Sequence, residues 1–314
     1  MGASLSPFAS APLPVRGCAL LVHALDCHDA HARHREEHVA ISFNGGKDCT
    51  VLLHLLAAVL LQRHPPPSSS PSAPPPWPPI PSIYVSQPSP FPLMESFVHL
   101  SEPYYSLSLH RTSNLGMRPA LASYLHLRPQ IRAVMVGTRR ADPHGKELDF
   151  CQPTDRGWPD FVRVHPVINW RYEQVWAFLR QWDVPYCELY DQGYTSLGST
   201  YNTHPNPALR RPDGTFRPAY ELEDEALERA GRDDSVRGPP GATEPAVAAV
   251  EDGKEGRGSR AKAAAGTVAV AAAAAAGAVG AANGYALHGK EGDGAPQQQA
   301  QGLRGAEEEE DVLL

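Results

Sequence analysis

The residues best equipped for chemistry stand in Ser42-Phe43-Asn44-Gly45-Gly46-Lys47-Asp48-Cys49. Adjacent glycines let backbone N–H groups converge on phosphate oxygens with no Cβ in the way. Lys47 brings a full positive charge, and Asp48 a hard carboxylate oxygen suited to Mg²⁺. The octet lies between a β-rich run, Val39 to Phe43, and a helical run that begins near Asp48. In that run Val51, Leu52, Leu55, Leu56, Val59 and Leu60 recur on one face of a 3.6-residue period. A strand, a Gly-Gly turn and a helix N-terminus together form an anion site, where the helix dipole adds partial positive charge. The Walker spacing Gly-x-x-x-x-Gly-Lys-Ser/Thr is absent. The plain alternative is a capped turn, for which Asn44 and Asp48 also serve.

Four more clusters follow. In Gly137-Thr138-Arg139-Arg140-Ala141-Asp142-Pro143, two arginines offer forked donors for phosphate and Asp142 a second oxygen ligand for Mg²⁺. A charged surface loop would contain the same residues. Thr154-Asp155-Arg156-Gly157-Trp158-Pro159-Asp160-Phe161 sets an aromatic ring beside carboxylates, a set able to hold a planar ligand by stacking and by accepting an N–H, or simply to cap a turn. The fourth cluster is Pro185-Tyr186-Cys187-Glu188-Leu189-Tyr190-Asp191-Gln192-Gly193-Tyr194-Thr195-Ser196-Leu197-Gly198, running on to Thr203-His204-Pro205-Asn206-Pro207. In the fifth, Arg217-Pro218-Ala219-Tyr220 precedes Glu228-Arg229-Ala230-Gly231-Arg232. Spaced three apart, Arg229 and Arg232 would share a helical face and could reach one anion, or could end a helix in solvent.

These clusters need a frame. Strands are expected at Val39 to Phe43, Ser82 to Ser86, Tyr105 to Leu109, Ala133 to Gly137 and Phe161 to Val167. Helices are expected after Asp48, over Pro92 to Leu100, over Pro119 to Leu127 and over Tyr172 to Trp182, the last with Val175, Trp176, Phe178 and Leu179 inward. Strands alternating with helices imply an α/β fold, a parallel sheet with helices on both faces. Ligands on such sheets bind beyond the carboxyl ends of the strands, where the Gly-Gly-Lys-Asp loop and the loop after Gly137 both fall.

The expected organisation is a flexible N-terminus (1–17), one domain (18–237) and a low-complexity, disordered tail (238–314) with an alanine run at 271–276 and acidic residues at 307–311. A Pro/Ser tract, 65–82, reads as an extended surface insertion away from the ligand edge. His28, His31 and His34 have helical neighbour spacing, but with no completing ligands they read as a solvated face. The net charge of −7 leaves no nucleic-acid footprint. The five cysteines, Cys18, Cys27, Cys49, Cys151 and Cys187, form no C-x-x-C pair, which argues against zinc, an iron–sulfur centre or a disulfide framework. No apolar run reaches membrane-spanning length. A soluble cytoplasmic protein is expected, with the acid-free, arginine-poor first 17 residues a faint pointer to an organelle.

Ser-x-x-Gly-Gly-Lys-Asp resembles the pyrophosphate loop of enzymes that split ATP between its α- and β-phosphates. All five clusters, in this order across residues 20 to 235, resemble the eukaryotic FAD synthases, FMN adenylyltransferases of the phosphoadenylylsulfate-reductase-like group. That resemblance implies an adenine-nucleotide α-hydrolase-like, or PP-loop, fold and the reaction of FMN with ATP to FAD and pyrophosphate with Mg²⁺. It implies that Asn44, Gly45, Gly46 and Asp48, with Ser42, Phe43 and Lys47, bind the triphosphate and its metal. Gly137, Arg139, Arg140 and Asp142 would act at metal and phosphate. Asp155, with Trp158 and Asp160, would meet the flavin, and Arg229 and Arg232 would hold phosphates. The expected partners are small molecules, the chain a monomer, with transient delivery of FAD to apo-flavoproteins also considered.

Relatives with other chemistry fit less well. A sulfonucleotide reductase needs a redox cysteine near its C-terminus, and none follows Cys187. Thr195-Ser196-Leu197-Gly198 lacks the arginine expected where a sulfate-bearing nucleotide is handled. A tRNA-modifying relative would want a basic surface and paired cysteines. A non-catalytic flavin carrier would have no use for Gly45, Gly46, Lys47, Asp48 and Asp142. No molybdopterin-binding domain precedes the matched region, so a second, hydrolytic activity is not expected.

Overall fold

Alternate side chains of the first β-rich run enter two different cores: Val39, Ile41 and Phe43 pack in one, Ala40 in the other. A strand buried on both faces needs covering layers above and below, and the computed structural model supplies them. It describes residues 36–65, 75–112, 115–233 and 235–236. The strands are β1 (Val39–Ser42), β2 (Ile80–Val85), β3 (Leu107–Thr112), β4 (Ala133–Met135), β5 (Cys151–Pro153) and β6 (Val162–Val164). The helices are α1 (Lys47–Arg63), α2 (Pro92–Tyr105), α3 (Met117–Leu127) and α4 (Tyr172–Gln181). Expectations for the N-terminus, the histidine stretch before residue 36 and the tail lie outside the described residues.

The six strands form one sheet in the order β3-β2-β1-β4-β6-β5. All neighbours are parallel except β5, which runs antiparallel along the edge of β6. The larger core lies between one face and α1, α2 and α4; the smaller joins the other face to α3 through Leu121 and Tyr124. Helices on both faces were expected; the antiparallel β5 was not. It is three residues long, with Cys151 and Pro153 exposed, so it carries no apolar alternation to read.

The expected apolar stripe of α1 is buried, but Leu53, His54, Ala57 and Ala58 are buried too, because the helix is enclosed between the sheet and α4. His54 Nδ1 is 3.0 Å from the Tyr105 hydroxyl, and its ring meets Phe178 edge-on. Burial pushes its pKa down to about 4, which keeps the imidazole neutral. Helix α2 runs past the expected end at Leu100 and carries Pro103 inside its last turn; Ser106, with φ at 55°, ends it. That moves β3 to Leu107–Thr112. In α4 the four residues expected inward are buried.

The Pro/Ser tract ends sooner than expected. Trp77 is buried, its indole N–H donating to the Tyr105 carbonyl at 3.1 Å, and β2 begins at Ile80. Pro81 is tolerated because it pairs only with β3; pairing with β1 starts at Ser82. Among the described residues no helix is long and apolar enough to cross a membrane.

Strand order matters most for the site. From β1 the chain moves outward to β2 and β3, then returns to place β4 on the other side of β1. Between β1 and β4 the strand order reverses, and the crevice that such a switch point offers lies beyond the carboxyl ends of these two strands.

Candidate active site

One wall of the crevice is the turn from β1 into α1. Gly45 has φ +76°, and a Cβ there would come within 2.5 Å of the Met94 sulfur of α2, so only glycine fits. Asn44 closes the turn: its Oδ1 accepts from the Gly46 N–H at 3.0 Å and lies 2.9 Å from Cys49 Sγ. Burial pushes the Cys49 thiol up to about 12, so it stays protonated. The Lys47 N–H donates to the Tyr190 hydroxyl at 2.8 Å. Gly137 forms the other wall, pressed so close to α1 that a Cβ would lie 2.7 Å from the Cys49 nitrogen.

Five charges meet beneath these walls. Lys47 Nζ is 3.1 Å from Asp48 Oδ2 and 2.5 Å from Glu228 Oε1. Arg139 places Nε 2.8 Å from Asp48 Oδ1, and its Nη2 lies 2.6 Å from both Glu228 oxygens. The Arg139 N–H donates to Asp142 Oδ2 at 2.7 Å. Lys47 is 2% and Arg139 0% exposed, so neither cation turns to solvent. Burial alone would pull the lysine pKa down, but Asp48 and Glu228 outweigh it and hold the ammonium charged. For Arg139, burial is opposed by Asp48, Glu228 and Asp142 in the same way. Burial would raise the Asp48 pKa, yet Arg139 and Lys47 hold it below the ordinary carboxylate range. Asp142 goes the other way, raised by burial and by the charge of Asp48.

A segment from the end of the described chain completes the cluster. Glu228 follows a short 3-10 turn (Glu225–Leu227) capped by Asp224, whose carboxylate accepts from the Ala226 N–H. Thr195 Oγ1 donates to the Glu228 carbonyl at 2.6 Å; Asn206 Nδ2 donates to Thr195 Oγ1 at 2.8 Å and to the Leu227 carbonyl at 2.7 Å. Arg232 donates to the Leu197 carbonyl at 2.9 Å and packs against Gly198, where a Cβ would meet its guanidinium at 2.4 Å.

Several expectations change here. Phe43 is a core residue, 0% exposed, whose ring packs against Phe97. Lys47 and Arg139, expected to face phosphate directly, are committed to carboxylates. Arg140 braces its loop, bonding Asn169 Oδ1 and the carbonyls of Lys146 and Leu148. Arg229 and Arg232 do not share a helical face: the chain turns at Gly231, where a Cβ would lie 2.3 Å from the His204 carbonyl. Asn44, Gly46, Asp48, Gly137 and Asp142 remain at least partly exposed at the mouth, beside Ser42 at the end of β1. Glu228, Tyr190, Thr195 and Asn206 were missed as site residues. All stand in segments singled out beforehand, but no local pattern marked these four within them.

Asp155, Trp158 and Asp160 form a second group in the turn joining β5 to β6. Arg163 reaches Asp155 at 3.1 Å, and the Arg118 guanidinium lies over the Trp158 ring at 5.3 Å. Val162 pairs with Ala133 at the start of β4, so this turn leaves the opposite end of β6 from the crevice.

The family model for the phosphoadenosine phosphosulfate reductase domain matches residues 38–205. A Schizosaccharomyces pombe protein named "Probable FAD synthase" is 41% identical over 207 residues, which cover 66% of this chain and 76% of that one. The chain belongs to the FAD synthase branch of this domain family. The flavin adenine dinucleotide synthase of Saccharomyces cerevisiae is 33% identical over 205 residues, covering 62% of this chain and 66% of that one. A Caenorhabditis elegans "Probable FAD synthase" is 40% identical, and there the chain spans 37% of the relative's length. Among solved structures, Candida glabrata FMN adenylyltransferase in complex with FMN and the ATP analogue AMPCPP has a TM-score of 0.62 at 27% identity, covering 74% of this chain and 93% of that one. The span matched by the family model, residues 38–205, includes the Gly-Gly-Lys-Asp loop, the Gly137 loop and the β5–β6 turn; Glu228 lies beyond it.

Proposed function

We propose that this protein is an FMN adenylyltransferase: it transfers AMP from ATP to FMN, giving FAD and pyrophosphate. The observation that carries this reading is the phosphate loop, with Asp48 and Asp142 side by side at the carboxyl ends of β1 and β4, in a chain of the FAD synthase branch.

A phosphate oxygen of FMN attacks the α-phosphorus in line; the new P–O bond forms as the bond to pyrophosphate breaks. The nucleophile is an anion at neutral pH, so no strong base is needed. Catalysis reduces to positioning and to neutralising charge on the phosphorus centre and leaving group. The Gly46 and Lys47 N–H groups are taken by Asn44 Oδ1 and the Tyr190 hydroxyl, so the other N–H groups of the turn and of the first turn of α1, with the helix dipole, receive the phosphate oxygens. Trp158 offers a stacking face and Asp155 an acceptor for a ring N–H, with Arg163 holding Asp155 in place.

Asp48 and Asp142 suit Mg²⁺. Both are hard oxygen donors at the crevice mouth, and the charge of one raises the pKa of the other, a repulsion that a cation between them relieves. Among the described residues no group of three His, Cys, Asp or Glu residues could hold a metal, so phosphates and water would complete the sphere. A bound Mg²⁺ would supply charge neutralisation at the leaving pyrophosphate. Incubating the full chain with FMN, ATP and Mg²⁺ should yield FAD and pyrophosphate in equal amounts. FMN binding without pyrophosphate would instead identify a flavin carrier.

A further inference from the structure

We infer that Glu228 is a positioning residue: it holds Lys47 and one fork of Arg139, so that these cations do not close further on Asp48 and Asp142 and Asp142 Oδ1 stays available. The inference rests on the proposed adenylyl transfer and extends it to a residue outside the matched family span.

Charge counting gives the first reason. Lys47 and Arg139 would be balanced by Asp48 and Asp142 alone; adding Glu228 leaves the five groups one negative charge in excess. Neutrality therefore does not explain the third carboxylate. Its geometry does. Glu228 accepts from Lys47 Nζ at 2.5 Å and from Arg139 Nη2 through both oxygens at 2.6 Å. Asp48 already takes Lys47 Nζ at Oδ2 and Arg139 Nε at Oδ1, and Asp142 takes the Arg139 N–H at Oδ2; without Glu228 the remaining donors would close on the same two carboxylates. Arg139 Nη2 already stands 3.5 Å from Asp142 Oδ1, beyond a good hydrogen bond and ready to close on it.

The second reason is that Glu228 is itself fixed. It is 8% exposed, its own carbonyl is bonded by Thr195, and the carbonyl before it by Asn206, whose side chain is fully buried. Cation–π contacts confine Lys47 further, its Nζ lying 5.3 Å from the Tyr172 ring centroid and 6.0 Å from that of Tyr190. The Thr195–Asn206 support thus reaches the phosphate loop through one carboxylate.

The test compares wild type, Glu228→Gln and Glu228→Asp in the full chain. Two readouts are used: steady-state FAD formation, and the rate at which an amine-acylating reagent modifies Lys47 in the native protein, followed by mass spectrometry. Glu228→Gln should lower kcat by about tenfold or more, leave KM for FMN within about twofold, and speed Lys47 acylation by about tenfold, the split expected when an interaction made in the transition state is lost. Glu228→Asp, which keeps the charge, should return acylation toward the wild-type rate and recover part of kcat. Unchanged turnover in Glu228→Gln, or Lys47 acylation at the wild-type rate in that variant, overturns the inference. Equal losses in Gln and Asp variants overturn it too, in favour of simple packing. If Glu228→Gln does not fold, Glu228→Gln with Lys47→Met removes the cation along with its counter-charge; recovered folding supports the pairing and continued failure overturns it. A wild type that makes no FAD defeats the functional reading instead, and Lys47 acylation then decides the role of Glu228 alone.

Discussion

Asp48 answers to two buried cations on one side and to the crevice on the other. Its depressed pKa keeps it ionised through neutral pH, whereas Asp142 is held up by burial and by its neighbour's charge. Replacing either by Asn keeps the shape and removes the charge. Each substitution should lower kcat/KM for ATP on the order of 10²–10³, by comparison with loss of one transition-state-stabilising donor. Steady-state FAD synthesis measures it, and near-normal turnover in both variants would remove these residues from the mechanism. At this scale the glycine turn at Gly45 and the placing of Asp48 and Asp142 at one end of the sheet were legible, because residue type and local spacing carry them. Glu228 was not, because its partners Lys47 and Arg139 lie 181 and 89 residues away in the chain. Nor could local pattern tell that Lys47 and Arg139 would turn inward; a charge beside a glycine turn reads the same whether it faces ligand or core.

The elements show the same division between local and distant causes. Helices α1 and α4 were readable from periodicity, since their apolar residues repeat as the core requires. Strand β5 was not, having neither length nor alternation. The arginine pair was misread as helical because spacing suggests a face, while the backbone there obeys an Asp224 cap and a close approach of Gly231 to His204. Asn206 ties this segment to the rest. Asn206→Ala strips the Thr195 hydroxyl of a donor and leaves the Leu227 carbonyl without its side-chain partner, and should cost about 1–3 kcal/mol. Chemical denaturation should show the loss, together with a fall in FAD synthesis. A variant as stable and as active as wild type would mean that the Pro-Asn-Pro turn does not support the site.

Over the whole molecule, alternating strands and helices foretold a parallel sheet, but not its order. The reversal between β1 and β4 depends on which strands pair, and that is what brings Gly45 and Gly137 to opposite walls. The enclosed α1 also gives the fold a pH dependence. His54 is neutral when folded, with its pKa pushed down to about 4, but protonates near 6.5 once the chain unfolds. Between these values the unfolded state binds more protons, so stability falls as pH drops from about 6.5 to about 4, by up to about 1.4 kcal/mol per unit. His165, also lowered by burial, and the ion-paired Asp48 add the same sign at their own pKa values. Melting temperature against pH should therefore slope less steeply in His54→Gln than in wild type; parallel curves would contradict the burial argument.

The chemistry proposed for this crevice breaks ATP between its α- and β-phosphates and hands the AMP to FMN. The most direct measurement follows ATP radiolabelled in the α-phosphate, incubated with FMN, Mg²⁺ and the full chain. The α-label is expected in FAD and none in pyrophosphate, with a label in the γ-phosphate recovered wholly in pyrophosphate. Label in inorganic phosphate, or FAD without the α-label, would contradict it.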